Sequence, residues 1–231
     1  RRGDLEGDPV TGRALFISGT DTGVGKTHVT LALIAALQQK SLRVAAYKPI
    51  ETGASDEHSD AARLQRATGQ ALPTIRYRLA TPAAPLIAAS IEGVTIDLGL
   101  LAADLVALRA AHDVVVIEGA GGLLVPLTLD RTFADFAAAL RLSTLLVARP
   151  GLGTINHTTL SIEAARQRGL PLLGFVFSRV APPRGPDEPM NALAITRATG
   201  VRFLGTLRAS IEPCAADLEA VVTTLLADAE A

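Results

Sequence analysis

The chain has 231 residues, 48% hydrophobic and 19% charged, with a net charge of -1 at neutral pH. This is an ordinary globular composition able to bury roughly 70% of its unfolded surface, with no basic excess for gripping nucleic acid. The single Cys214 rules out an intrachain disulfide, and no apolar run approaches the roughly 20 residues that span a bilayer, so the expected setting is cytoplasmic, without membrane insertion.

In chain order, residues 1–12 are polar and glycine-containing and read as a disordered leader or a remnant of expression, leaving 13–231 as one expected domain. Arg13–Gly19 is a short buried-strand pattern, and a helical pattern covers Thr27–Lys40. Between them lies Gly-Thr-Asp-Thr-Gly-Val-Gly-Lys-Thr at Gly19–Thr27. A strand, a glycine-rich turn and a helix N-terminus are the context of a phosphate-binding loop. Gly23 and Gly25 let the backbone curl its N–H groups toward phosphate oxygens, Lys26 supplies positive charge, and Thr27 offers a hydroxyl to Mg²⁺. The loop is one residue longer than the common form.

Strand-like runs recur at Leu42–Tyr47, Asp113–Glu118, Thr144–Ala148, Leu172–Phe177 and Arg202–Leu207. Helical patterns alternate with them at Ser59–Ala67, Leu98–Ala111, Phe133–Leu140, Thr158–Arg168 and Glu188–Thr199. This predicts an α/β fold of three layers, a P-loop NTPase-like, mostly parallel doubly wound sheet with helices on both faces. Right-handed crossovers gather the loops after the strands at one edge. Those loops are Tyr47–Gly53, Glu118–Gly122 and Gly151–His157, and Glu118 stands at a strand end where a metal-binding carboxylate belongs. The prolines within Leu79–Leu86 predict a rigid loop.

The loop at Gly19–Thr27, Tyr47-Lys48-Pro49, Ser59-Asp60, Glu118–Gly122, Phe133-Ala134-Asp135 and Gly153–His157 together closely resemble the dethiobiotin synthetase family, which closes the ureido ring in biotin biosynthesis. The likeness runs from about Ala14 to about Pro183, and the lengthened loop is the family's form. It implies 7,8-diaminononanoate, CO₂, a nucleoside triphosphate such as ATP, and Mg²⁺. It also implies a homodimer with the substrate site near the interface. Lys26 and Lys48 take the catalytic positions. Asp21, Thr22, Gly23, Val24, Gly25, Lys26, Thr27 and Ser178 take the nucleotide positions, Thr22, Thr52, Gly121 and Asn156 those for substrate, and Thr27, Asp60 and Glu118 those for metal.

Plainer readings stand beside these. Lys48 also reads as a solvated loop lysine, Asp60 as a helix cap, His28 and His157 as packing or surface groups, and Cys214 as an inert thiol. Glu51 and Asp21 read as supporting groups or as loop polarity. Where the family commonly has Asn-Asp to recognise the base, this chain has Ser178-Arg179, and a hydroxyl cannot present the paired donor and acceptor of an amide. Arg208 also stands where a proline is common. A partition- or positioning-type ATPase switch would carry a lysine early in the loop, where this chain has Asp21. A cobyrinate-type amidating ligase usually adds a glutaminase domain with a nucleophilic Cys, for which 231 residues leave little room.

Overall fold

Strand β1 (Arg13–Gly19) is buried over its last five residues and ends where the glycine-rich loop begins. The computed structural model that contains it describes residues 12–53, 59–179, 188–209 and 214–227. Of the expected leader, 1–11 lies outside these residues. Gly12 is held in place, its N–H donating to the Arg109 carbonyl and its own carbonyl accepting from Arg109 Nε at 2.7 Å.

After β1 come α1 (Lys26–Gln38), β2 (Val44–Tyr47), β3 (Ile50–Thr52), α2 (Asp60–Thr68), β4 (Tyr77–Leu79), α3 (Pro85–Ile91) and α4 (Leu98–Ala111). The second half continues with β5 (Val114–Gly122), α5 (Phe133–Ala139), β6 (Ser143–Ala148), α6 (Thr154–Gln167), β7 (Leu172–Ser178), α7 (Glu188–Thr199), β8 (Phe203–Leu207) and α8 (Glu219–Ala227). Among the described residues, six strands form the main sheet in the order β2-β5-β1-β6-β7-β8, and β3 and β4 form a small second one. Every strand pairing in the two sheets is parallel.

Alternation along the strands separates the two faces. Leu15, Ile17, Val114, Val116, Leu145 and Val147 pack with Val29, Leu33 and Leu37 of α1 and Val221, Val222 and Leu225 of α8. Phe16, Val115, Ile117, Leu146 and Phe175 pack with Leu101 and Leu105 of α4, Phe133 and Phe136 of α5, and Ile162 of α6. The three-layer expectation therefore holds, with hydrophobic burial on both faces as its main support.

The differences from expectation are local. Thr154–His157 belongs to α6, so that helix starts four residues before Thr158. Lys48–Gly53 contains β3, which pairs with β4, and Gly53 N–H donates to the Leu79 carbonyl at 2.9 Å. The supposed rigid loop Leu79–Leu86 ends one strand and starts α3, with Pro85 in the first helical turn, where its missing N–H costs nothing.

Candidate active site

Five segments at the carboxyl edge of the main sheet line a cleft of about 930 Å³: the loop after β1, the run Lys48–Gly53, the start of α2, the run Pro82–Pro85, and the end of β5 with Val125. Gly25 opens α1 with φ 94, a left-handed backbone that side chains resist. No side chain caps α1, so its first N–H groups and positive dipole end stand at the cleft as an anion-binding site. Lys26 folds back across the loop, and its Nζ donates to the Asp21 carbonyl at 3.2 Å. Asp21 accepts the Thr22 N–H at 2.7 Å and lies 3.4 Å from Arg149. Val24 is fully buried and anchors the loop in the core.

Glu118 is where the cleft's charges meet. Strand β5 lies between β1 and β2, with Glu118 beside Ile17 and Ile117 beside Tyr47, so the segments leaving both neighbouring strands converge on this one carboxylate. Its Oε1 accepts the Thr27 hydroxyl at 2.8 Å and Lys48 Nζ at 2.6 Å. Lys48 Nζ lies 3.5 Å from Asp60 Oδ2 as well. The Lys48 side chain is 5% exposed and Glu118 fully enclosed, which makes a buried ion pair and excludes the solvated-lysine reading. Asp60 is not the cap of α2. Ser59 is, its Oγ accepting the Ala62 N–H, while Asp60 is the first helical residue with its carboxylate at the cleft.

The two lysines differ electrostatically. Burial pushes the Lys26 ammonium below its ordinary pKa, and the opposing field of Glu118 does not make up the loss. Burial acts on Lys48 in the same sense, but Glu118 and then Asp60 outweigh it and hold its pKa above the usual lysine value. Lys48 is a firmly held cation; Lys26 keeps its charge less tightly until an anion meets it.

Glu118 Oε2 is buried without a hydrogen-bond partner among the described residues. Such an orphan costs roughly 1–3 kcal/mol, more when the group is charged, and it is the feature a bound cation would relieve. Among the described residues no group of three or more His, Cys, Asp and Glu could hold a metal unaided. Thr27, Asp60 and Glu118 nevertheless present hard oxygen donors, and Mg²⁺ is typically held by one or two carboxylates together with substrate phosphates and water. The residues fit that ion.

Comparison with known proteins gives the chain its relatives. A family model described as an AAA domain matches residues 13–212. The ATP-dependent dethiobiotin synthetase BioD of Anaeromyxobacter dehalogenans strain 2CP-C is 49% identical over 191 residues, covering 81% of this chain and 86% of that protein. Its namesake from Bacillus licheniformis is 38% identical, covering 84% of each. The chain belongs to the dethiobiotin synthetase family. Among solved structures, the Pyrococcus furiosus cell division ATPase MinD is similar at a TM-score of 0.59 and 17% identity, over 94% of this chain and 99% of that one. The MinC:MinD complex of Aquifex aeolicus matches at 0.59 and 14%, over 94% of this chain and 96% of that one. Likeness at such identities establishes the P-loop α/β fold alone.

The synthetase cleft gathers Thr22, Gly23, Gly25, Lys26, Thr27, Lys48, Thr52, Asp60 and Gly121, with Glu118 just beneath. Gly121 has φ 67, and a Cβ there would sit 2.8 Å from Val125 Cγ2, so the wall closes only on glycine. Asp21 and Val24 belong to the loop without lining the cleft, and two expected residues lie away from it altogether. Asn156 lines a second, smaller cavity between α6 and α7, with Leu152, Ile155 and Asn191. Ser178, expected at the nucleotide base, is fully enclosed at the end of β7, and its buried Oγ has no partner among the described residues. Its neighbour Arg179 donates its backbone N–H to the Leu207 carbonyl at 2.9 Å, which fixes the segment against β8. His28 lines the cleft and reaches the Arg208 carbonyl at 3.1 Å. Arg63 and the Pro82–Pro85 wall were not foreseen in the sequence. Arg63 carries the one readable signal, standing one helical turn after Asp60.

Proposed function

We propose that this cleft carries out the dethiobiotin synthetase reaction of biotin biosynthesis, using ATP to close a ureido ring on 7,8-diaminononanoate. The observation that carries the reading is the convergence of Lys48 and Thr27 on the buried Glu118, beside Lys26 of the phosphate-binding loop, in a chain with dethiobiotin synthetase relatives. One amine takes up CO₂, loses a proton and becomes a carbamate. A carbamate oxygen then attacks the γ-phosphorus and ADP leaves. The second amine attacks the carbonyl carbon of the mixed anhydride, and phosphate departs as the ring closes.

The chief obstacle is the approach of two anions, which needs fixed positive charge in a partly dry site. Lys26 and the α1 N-terminus take the phosphates. Lys48, held cationic by Glu118, meets the carbamate or the transferring phosphoryl group, with Thr22, Thr52 and the Gly121 N–H placed to orient these anions. Thr27, Asp60 and Glu118 would hold Mg²⁺, which supplies charge neutralisation on the phosphate oxygens. Asn156 is assigned to the carboxylate tail of a substrate shared with a second copy of the chain. The N-terminus of α6 has no side-chain cap, and Leu152, Ile155, Leu160, Met190 and Leu193 around it are exposed, which supports a homodimer on this face. The reading places the enzyme in the cytoplasm; no helix among the described residues is long and apolar enough to cross a membrane.

The test is dethiobiotin formation from 7,8-diaminononanoate, bicarbonate and Mg²⁺, run with ATP, CTP and GTP in parallel. Product with ATP supports the reading. The ranking of the three reports how the base is read by a chain whose Ser178 is enclosed. Intact nucleotide binding with no product from any triphosphate contradicts it.

A further inference from the structure

Among the carboxylates of the cleft, Glu51 has no part in the chemistry above, yet it is 5% exposed and its two oxygens are both engaged. Oε1 accepts the Asp60 N–H at 2.6 Å and Oε2 the Ala61 N–H at 3.3 Å. These are the first two amides of α2, and Ser59 takes the third, Ala62 N–H, at 3.1 Å. Two side chains thus divide the orphan donors of one helix end. A serine cap at this position is ordinary. A buried carboxylate brought from strand β3 takes the two amides ahead of it, tying that strand to the helix start.

What Glu51 adds is location. It sits in the middle of β3, whose register against β4 is set by the pairs Ile50 with Tyr77, Glu51 with Arg78 and Thr52 with Leu79. Lys48, three residues before it, donates its backbone N–H to the Thr74 carbonyl at 2.7 Å. One short, twice-anchored segment therefore carries Lys48 at one end and grips the backbone of Asp60 in its middle. The Asp60 carboxylate lies 3.5 Å from Lys48.

We propose that Glu51 is a positioning residue for the metal centre: by clamping the Asp60 and Ala61 amides it fixes the Asp60 carboxylate against Lys48 and Glu118, where it joins Thr27 in holding the cation. The inference rests on the assignment of Asp60 as a metal ligand. Groups that orient ligands from behind are worth about 10–100-fold in metal affinity. Glu51→Gln keeps the shape but turns one of the two acceptors into a donor facing an N–H, so the clamp opens on one side.

The experiment measures Mn²⁺ binding by electron paramagnetic resonance on the full chain loaded with a non-hydrolysable ATP analogue, with metal-free analogue affinity and thermal midpoint recorded for each variant. Asp60→Asn is expected to weaken Mn²⁺ binding. Glu51→Gln is expected to weaken it about 10-fold or more, with metal-free analogue affinity unchanged, and little further loss on adding Asp60→Asn. Ser59→Ala, which removes the other cap of the same helix, lowers the thermal midpoint and leaves Mn²⁺ affinity in place. If Asp60→Asn weakens Mn²⁺ binding but Glu51→Gln lowers only the thermal midpoint, as Ser59→Ala does, Glu51 is a structural cap and the inference fails while the metal assignment stands. Unchanged Mn²⁺ affinity in Asp60→Asn overturns both.

Discussion

The cleft over β1, β2 and β5 and the cavity between α6 and α7 differ in how much of their chemistry one chain supplies. In the cleft, two lysines, a threonine hydroxyl and a carboxylate are bound to one another or to backbone, and the central acid is fully enclosed. In the second cavity, Asn156 and Leu152 are exposed and the helix N-terminus has no side-chain cap. Preorganised charge suits the phosphoryl step, which needs groups fixed before the transition state. An open polar end rimmed by apolar side chains suits a surface completed by a second copy.

The sharpest way to break the contrast is to remove its centre. Glu118→Ala leaves Lys48 buried with only the weaker fields of Asp60 and Glu51 to offset its charge, and unfolding in urea is expected to show a loss of about 3–5 kcal/mol, as for other severed buried pairs. A variant as stable as the parent would mean that water in the cleft carries the Lys48 charge. Next in size, Lys26→Ala is expected to lower turnover on the order of 10²–10³ at saturating nucleotide. Lys48→Ala should lose turnover similarly with nucleotide affinity largely kept; weakened nucleotide binding alone would move Lys48 away from the carbamate. At the other cavity, if Asn156 meets the substrate's carboxylate tail as proposed, Asn156→Ala costs about 1.5–3 kcal/mol of binding, and steady-state kinetics should show the KM for the diamine rising by about tenfold or more with turnover retained.

The smallest effect concerns the scaffold behind Lys48. The Tyr47 hydroxyl donates to Asp104 at 3.0 Å, and Arg76 Nε reaches the same oxygen at 2.7 Å. Burial raises the Asp104 carboxyl pKa, but hydrogen bonds from Arg76 and Tyr47 outweigh it, so it stands below its ordinary value of 3.8. A carboxylate with a depressed folded-state pKa contributes stability that is complete above its unfolded pKa and is lost as pH falls through the folded one. Urea midpoints should therefore fall more steeply below about pH 4 in the parent than in Asp104→Asn. Equal slopes would show that this network does not couple to folding.

The phosphate-binding loop was legible in the sequence because its chemistry is local: Gly23, Gly25, Lys26 and Thr27 act within one turn. The sheet was legible because β1, β5, β6 and β7 are short apolar runs between helical patterns. The Lys48–Glu118 pair spans 70 residues and Thr27–Glu118 spans 91, and both exist only because β5 lies between β1 and β2, an order no motif states. Strand β3 escaped notice because three residues beside a proline acquire strand geometry only through pairing with β4. The first turn of α6 escaped because Ile155, Asn156 and His157 face outward and give no apolar period. The clamp of Glu51 on α2 was hidden because its partners are backbone amides, which leave no trace in residue type.

The most direct test of the contrast between a self-contained cleft and a shared tail site is to mix two impaired variants, assayed at a diamine concentration below the parent KM. Lys26→Ala disables the cleft of its own chain, and under the proposed shared site Asn156→Asp sets a negative charge against the substrate carboxylate. If each site draws its cleft from one copy and Asn156 from the other, a co-refolded mixture forms heterodimers with one doubly impaired site and one intact site. Dethiobiotin formation should then return to roughly a quarter of the parent rate, since half of randomly paired dimers are mixed and half of their sites are whole. A mixture no more active than its two components would contradict the shared site and return Asn156 to the chain that carries it.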